Sequence, residues 1–212
     1  KTTNLLSLGS RQSMYKEIDR QLKKSGKKPI VPLQKVKDIS LENFRNNFLK
    51  KGMPIVFEGA AKNWTCCKKW DLEFFNKQHG EERVVLLANS GENTNVLDDA
   101  YESTTFSDII ANIRSGGTKY LNFYPLLDKH PEYYKDFDIQ WLKERRHKHN
   151  IYTGCQMFLG GKGNEAALHN AHQANLFIQV WGEKKWVIYP SYFFPAVDPD
   201  PVRNLYRNAP FR

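Results

Sequence analysis

Cysteine is scarce in this chain, with Cys66, Cys67 and Cys155 the only three in 212 residues. An odd count cannot make an even disulfide framework, and the adjacent pair lacks the Cys-x-x-Cys spacing of zinc and redox sites, so reduced structural thiols are expected. Long apolar runs are missing as well. Nothing approaches the roughly 18 residues that a membrane span needs, and Lys1 to Ser10 has no signal-peptide stretch. Internal repeats and low-complexity segments are absent too. These absences point to a soluble, cytoplasmic globular chain with no membrane partner, in which the sequon Asn63-Trp64-Thr65 has no secretory setting.

Acidic residues are outnumbered, 23 against 32 Lys and Arg, for a net charge of +9. A basic balance supplies the sequence-independent part of nucleic-acid binding. Here the lysines are scattered over turns and helix surfaces, and only Arg145-Arg146-His147-Lys148-His149 forms a dense run. Solvated surface is the expected reading, an acidic substrate or partner comes next, and nucleic acid is not an expected partner. What the chain has is aromatic and apolar bulk, 13% and 40% of its residues, enough for a real core.

Along the chain, Met14, Ile18 and Leu22 recur at helical spacing among Lys and Arg, which predicts an amphipathic arm over residues 1–28 stopped by Ser25-Gly26. Pro29 to Val36 suits an edge strand. Ser40 is placed to cap a helix carrying Leu41, Phe44 and Phe48 and ending at Gly52, and Pro54 to Phe57 is a compact strand. A second helical stripe, Leu72 and Phe75, ends at Gly80 and precedes a β run from Arg83 to Ala88. Thr105 opens a helix through Phe106, Ile109, Ile110 and Ile113 to Gly116-Gly117, with Asp108 in its first turn. Tyr120 to Tyr124 is the next strand, and Tyr133 to Leu142 reads as loop and short helix. From Tyr152 the pattern turns to strands: one to Leu159, a turn at Gly160 to Gly163, and another from Leu168. A hairpin follows, Leu176 to Trp181 and Lys185 to Tyr189 around Gly182-Glu183.

The stretch Leu168-His169-Asn170-Ala171-His172-Gln173-Ala174-Asn175 carries the chemistry. Two histidines and a carboxylate can hold non-haem Fe(II) with positions left open, and the usual pattern is His-x-Asp or His-x-Glu with a distant second His. Ala171 stands where the carboxylate is expected. His172, three residues on in an extended segment, points to the opposite face from His169 and is a poor substitute. Lys184 alone is an ordinary exposed hairpin lysine.

Together with Pro54 to Trp64, Lys69-Trp70, Tyr124-Pro125-Leu126-Leu127, His130-Pro131 and Phe158-Leu159-Gly160, this block resembles the cupin-like branch of the JmjC oxygenases, the family that includes the asparaginyl hydroxylase of hypoxia-inducible factor. The resemblance covers most of the chain. It implies an α+β, mainly β fold: a double-stranded β-helix, the cupin-like jelly roll, over residues 29–212 after the arm. It also implies Fe(II) and 2-oxoglutarate as cofactors, with His169 as metal ligand and with Asn175 and Lys184 binding the cosubstrate. A dicarboxylate chelating iron at one end needs a cation at the other, because an unpaired buried charge is costly. Trp181 and Trp186 are expected as core or pocket wall.

Two departures follow. Ala171 leaves a vacant coordination position that a chloride can take, which turns the expected C–H hydroxylation towards radical halogenation. Furthermore, the family's Gly-Asp strand and the segment with the second His ligand are not seen before Arg212, although Asp198 and Asp200 resemble the loop leading there. The expectation is that the chain continues, or that a complementing chain, in a homodimer or otherwise, supplies those strands. The substrate expected is a small molecule, an amino acid, or a peptide or protein. Two other readings stand beside the enzyme: a catalytically inactive pseudo-oxygenase that binds a ligand or protein, and a basic interaction module resting on Arg145 to His149.

Overall fold

The computed structural model describes residues 8–25, 30–87, 101–147, 154–166, 168–169 and 174–190. The amphipathic arm is helix α1, Leu8–Ser25, ending where the sequence predicts. Strand β1 (Lys35–Val36) pairs in parallel with β2 (Val56–Phe57). Between them lies α2, Leu41–Phe44, capped by the Ser40 hydroxyl, which accepts from the Asn43 N–H at 3.2 Å. The expected single helix to Gly52 is corrected in one respect, since a π-helical turn over Arg45–Leu49 replaces regular α-helix there. The wider turn still brings Phe44 and Phe48 to the buried side.

Two helices, α3 (Thr65–Lys69) and α4 (Leu72–His79), lead to β3 (Arg83–Leu87). Strand β4 (Tyr101–Thr105), which the sequence reading does not anticipate, pairs antiparallel with β3 in the register Arg83 to Thr105. Val84 and Leu86 turn inward while Val85 is exposed, the alternation of a sheet with one buried face. Helix α5 (Phe106–Arg114) starts on a capping box: the Asp108 N–H donates to Thr105 Oγ1 at 3.1 Å and Asp108 Oδ2 accepts from the Thr105 N–H at 3.4 Å. Phe106, Ile109 and Ile110 on one side of α5 are fully buried, at the centre of a core that also takes Trp64, Trp70 and Leu121.

Strand β5 (Tyr120–Tyr124) pairs antiparallel with β6 (Met157–Gly160), with an irregularity between Leu121 and Tyr124. Helix α6 (Leu126–Lys129), a 3-10 turn over Pro131–Asp136 and α7 (Ile139–Arg145) fill the connection. Asp136 is buried but paired, accepting from Trp70 Nε1 at 2.9 Å.

Among the described residues helix outweighs strand, and the β structure consists of three two-stranded sheets without a closed barrel. Neither the strand from Leu168 nor the two hairpin strands form a ladder among these residues. The turn itself is present, with Gly182 at φ 75° and the Phe177 and Trp186 rings facing each other at 5.0 Å. Ile178 and Val180 pack against the core, whereas Trp181 is 56% exposed and is not core. No helix among the described residues is long and apolar enough to cross a membrane.

Candidate functional site

The β5–β6 sheet sets the first constellation. Tyr120 lies opposite Gly160, and a Cβ built on Gly160 would sit 2.6 Å from Tyr120 Cδ2. Glycine therefore leaves room for the Tyr120 ring. Its hydroxyl accepts from Lys184 Nζ at 3.2 Å. The same ammonium lies 5.6 Å from the Tyr120 centroid, 5.8 Å from Phe158, 5.6 Å from Phe177 and 5.6 Å from Trp186. Aromatic faces attract a cation without neutralising it. Lys184 thus remains available to an anion, with the Tyr120 hydroxyl beside it as a second donor.

Of the residues expected in the site, Lys184 is the one whose described contacts reach another element. Trp186 is 46% exposed with its ring centroid 5.6 Å from Lys184 Nζ, and the lysine is exposed as well. His169 and Asn175 are also exposed. Ala171 and His172 lie outside the described residues, as do Asp198 and Asp200. The described part of the motif holds His169, Asn175 and Lys184 and leaves out the residues between 169 and 174. Tyr120 was not singled out from the sequence. The signal was present in the strand Tyr120 to Tyr124 and the glycine at 160, but pairing them needs the sheet register.

A second constellation joins α4, β3 and α6. The Glu82 N–H donates to the His79 carbonyl at 2.8 Å, closing a tight turn through Gly80. A Cβ at Gly80 would come within 2.4 Å of the Asn76 carbonyl, so only glycine allows this approach. Glu82 Oε2 then lies 3.2 Å from His79 Nδ1 and 2.8 Å from His130 Nε2. Its Oε1 accepts from Lys129 Nζ at 3.1 Å and from the Tyr124 hydroxyl. Burial pulls the Glu82 carboxyl upward, but hydrogen bonds from Tyr124, Lys129 and His130 outweigh it and hold the group down at about 2. Burial, followed by the neighbouring His130, lowers His79. Among the described residues, His79, Glu82 and His130 are the His, Cys, Asp and Glu side chains grouped closely enough to hold a metal ion.

Arg145 folds back with its guanidinium 3.9 Å from the Trp141 ring centroid, and Lys148 and His149 lie outside the described residues. Cys66 is buried, and burial followed by the adjacent Cys67 pushes its thiol up to about 12, as expected of a structural cysteine.

Comparison with known proteins adds what geometry does not carry. A family model described as a cupin-like domain matches residues 41–210. Lysine-specific demethylase 8 of Xenopus tropicalis is 26% identical over 153 residues, covering 71% of this chain and 34% of that protein. Lysine-specific demethylase JMJ30 of Arabidopsis thaliana is 26% identical over 171 residues, 76% of this chain and 38% of its own length. tRNA wybutosine-synthesizing protein 4 of Emericella nidulans is 23% identical over 186 residues, 80% of this chain and 17% of that protein. The chain spans little more than a third of the length of the two demethylases it matches.

Proposed function

The chain belongs to the cupin-like JmjC oxygenase family, and from that premise we propose that it takes part in Fe(II)- and 2-oxoglutarate-dependent oxidation of a C–H bond, with Lys184 and Tyr120 holding the distal carboxylate of the cosubstrate. The observation that carries this is the Lys184 ammonium set 3.2 Å from the Tyr120 hydroxyl and walled by aromatic rings. A carboxylate accepting from both donors gains two charge-assisted hydrogen bonds on a geometry already built. Asn175 positions the other end of the same molecule, and His169 is the iron ligand on this side of the pocket. When bound, iron and 2-oxoglutarate would supply, with dioxygen as the oxidant, the chemistry that oxidises an unactivated C–H bond. The protein's own task is to bind, orient and exclude competing water.

Ala171 decides between outcomes. An aspartate there would complete the usual ligand pattern, whereas alanine supplies no ligand, and a halide such as chloride would have to be bound in its place for halogenation rather than hydroxylation. The names of the two demethylases support a protein or peptide substrate. The same alanine favours a second reading, a pseudo-oxygenase that keeps the anion pocket as a ligand- or protein-binding site without turnover.

Anaerobic addition of Fe(II) and 2-oxoglutarate separates the readings. The enzyme reading expects the visible charge-transfer band of the chelate, shifted by chloride if a halide occupies the Ala171 position. Absence of the band across saturating 2-oxoglutarate would overturn the enzyme reading and leave the pseudo-oxygenase.

A further inference from the structure

We propose that His79, Glu82 and His130 form a second metal site, specific for a divalent ion of the zinc type and separate from the His169 region. The donors are His79 Nδ1, His130 Nε2 and Glu82 Oε2, all within 4.8 Å of one another. A tetrahedral zinc with bonds of about 2.0–2.2 Å spaces its ligands about 3.3 Å apart, so the 3.2 and 2.8 Å separations here need only a slight opening. Two imidazoles and a carboxylate suit zinc better than calcium or magnesium, which take oxygen shells. The site is recessed yet reachable, with the His79, Glu82 and His130 side chains 9%, 22% and 19% exposed. A cavity of about 330 Å³ opens beside His79 and Glu82.

The groups behind the two imidazoles are the independent observation. A metal-bound histidine usually donates its remaining ring N–H to an oxygen acceptor, which fixes the ring. His79 Nε2 faces the Tyr133 hydroxyl at 2.6 Å, and His130 Nδ1 faces Glu132 Oε1 at 3.7 Å. His79 therefore has a hydrogen-bond partner on the side away from Glu82, as a ligand would require, and His130 has the Glu132 carboxylate on that side beyond hydrogen-bond distance. The rings themselves are 4.1 Å apart. Two groups oppose the site: the Tyr124 hydroxyl, which donates to Glu82 Oε1 and lies 3.2 Å from His130 Nε2, and Lys129 Nζ, 3.1 Å from Glu82 Oε1 on a side chain 46% exposed to solvent. A zinc here would tie the end of α4 to the start of β3 and to the α6–Pro131 junction, three connections around the core.

Titration of the full chain with zinc chloride, followed by calorimetry and by the visible spectrum of the cobalt(II) substitute, tests the proposal. The wild type and His169→Ala are both expected to take up this zinc, with a tetrahedral cobalt spectrum. His130→Gln is expected to lose one equivalent, and Tyr133→Phe to weaken that equivalent about tenfold. Lys129→Met is expected to tighten it, because a competing cation is gone. No zinc uptake by the wild type, or the same stoichiometry in folded His130→Gln, would overturn the site. If His130→Gln does not fold, unchanged zinc affinity in Lys129→Met overturns it.

Discussion

Residues 41–145 and residues 174–190 both carry dense apolar patterns, yet the described part of the first stretch encloses many of them and the second shows many of them to water. Phe106, Ile109 and Ile110 are fully buried, while Trp181, Val187 and Ile188 are each about half exposed. The contrast teaches how backbone hydrogen bonding limits what a local pattern can build. A helix satisfies its N–H and C=O groups internally, so a cap and a stripe are enough to place it. A strand needs a partner to accept its bonds. Strand β3 has β4 and β5 has β6. The segment around Gly182 keeps strand-like alternation, with Ile178 and Val180 inward, and no ladder among the described residues.

Replacing a residue at the centre of the enclosed region should have the largest effect. Phe106→Ala removes a fully buried ring and is expected to cost about 3–5 kcal/mol in denaturant unfolding. Thr105→Ala deletes the hydroxyl that caps α5 and should cost about 1 kcal/mol. At the other extreme, Trp181→Ser in the open segment should change unfolding by no more than about 0.5 kcal/mol. A cost at Trp181 approaching that at Phe106 would mean that the ring is buried in solution and would erase the contrast between the two regions.

The same physics separates what was legible in the sequence from what was not. Ser40, Asp108 and Thr105 signalled helix starts that the structure repeats, and Gly80 and Ser25 signalled ends, because capping is a short-range event. Ser40 could not announce the π-helical turn after Phe44, because a cap acts only on the first turn of its helix. Strand β4 went unseen because Tyr101-Glu102-Ser103-Thr104-Thr105 has little apolar alternation, and its place comes from pairing with β3. Lys184 became a candidate through the family resemblance of the block from His169 to Lys184, whereas Tyr120 entered only through register with Gly160. His79, Glu82 and His130 formed no motif, since His130 reaches the other two through the packing of α6 rather than through sequence spacing.

Equilibrium binding of 2-oxoglutarate to wild type and Lys184→Met, under anaerobic Fe(II), tests the anion pocket most directly. Loss of a charge-assisted hydrogen bond worth about 1.5–3 kcal/mol predicts a 10- to 100-fold weaker Kd with unfolding stability unchanged. Tight binding that Lys184→Met leaves untouched would contradict the assignment of Lys184 and Tyr120 to the cosubstrate carboxylate.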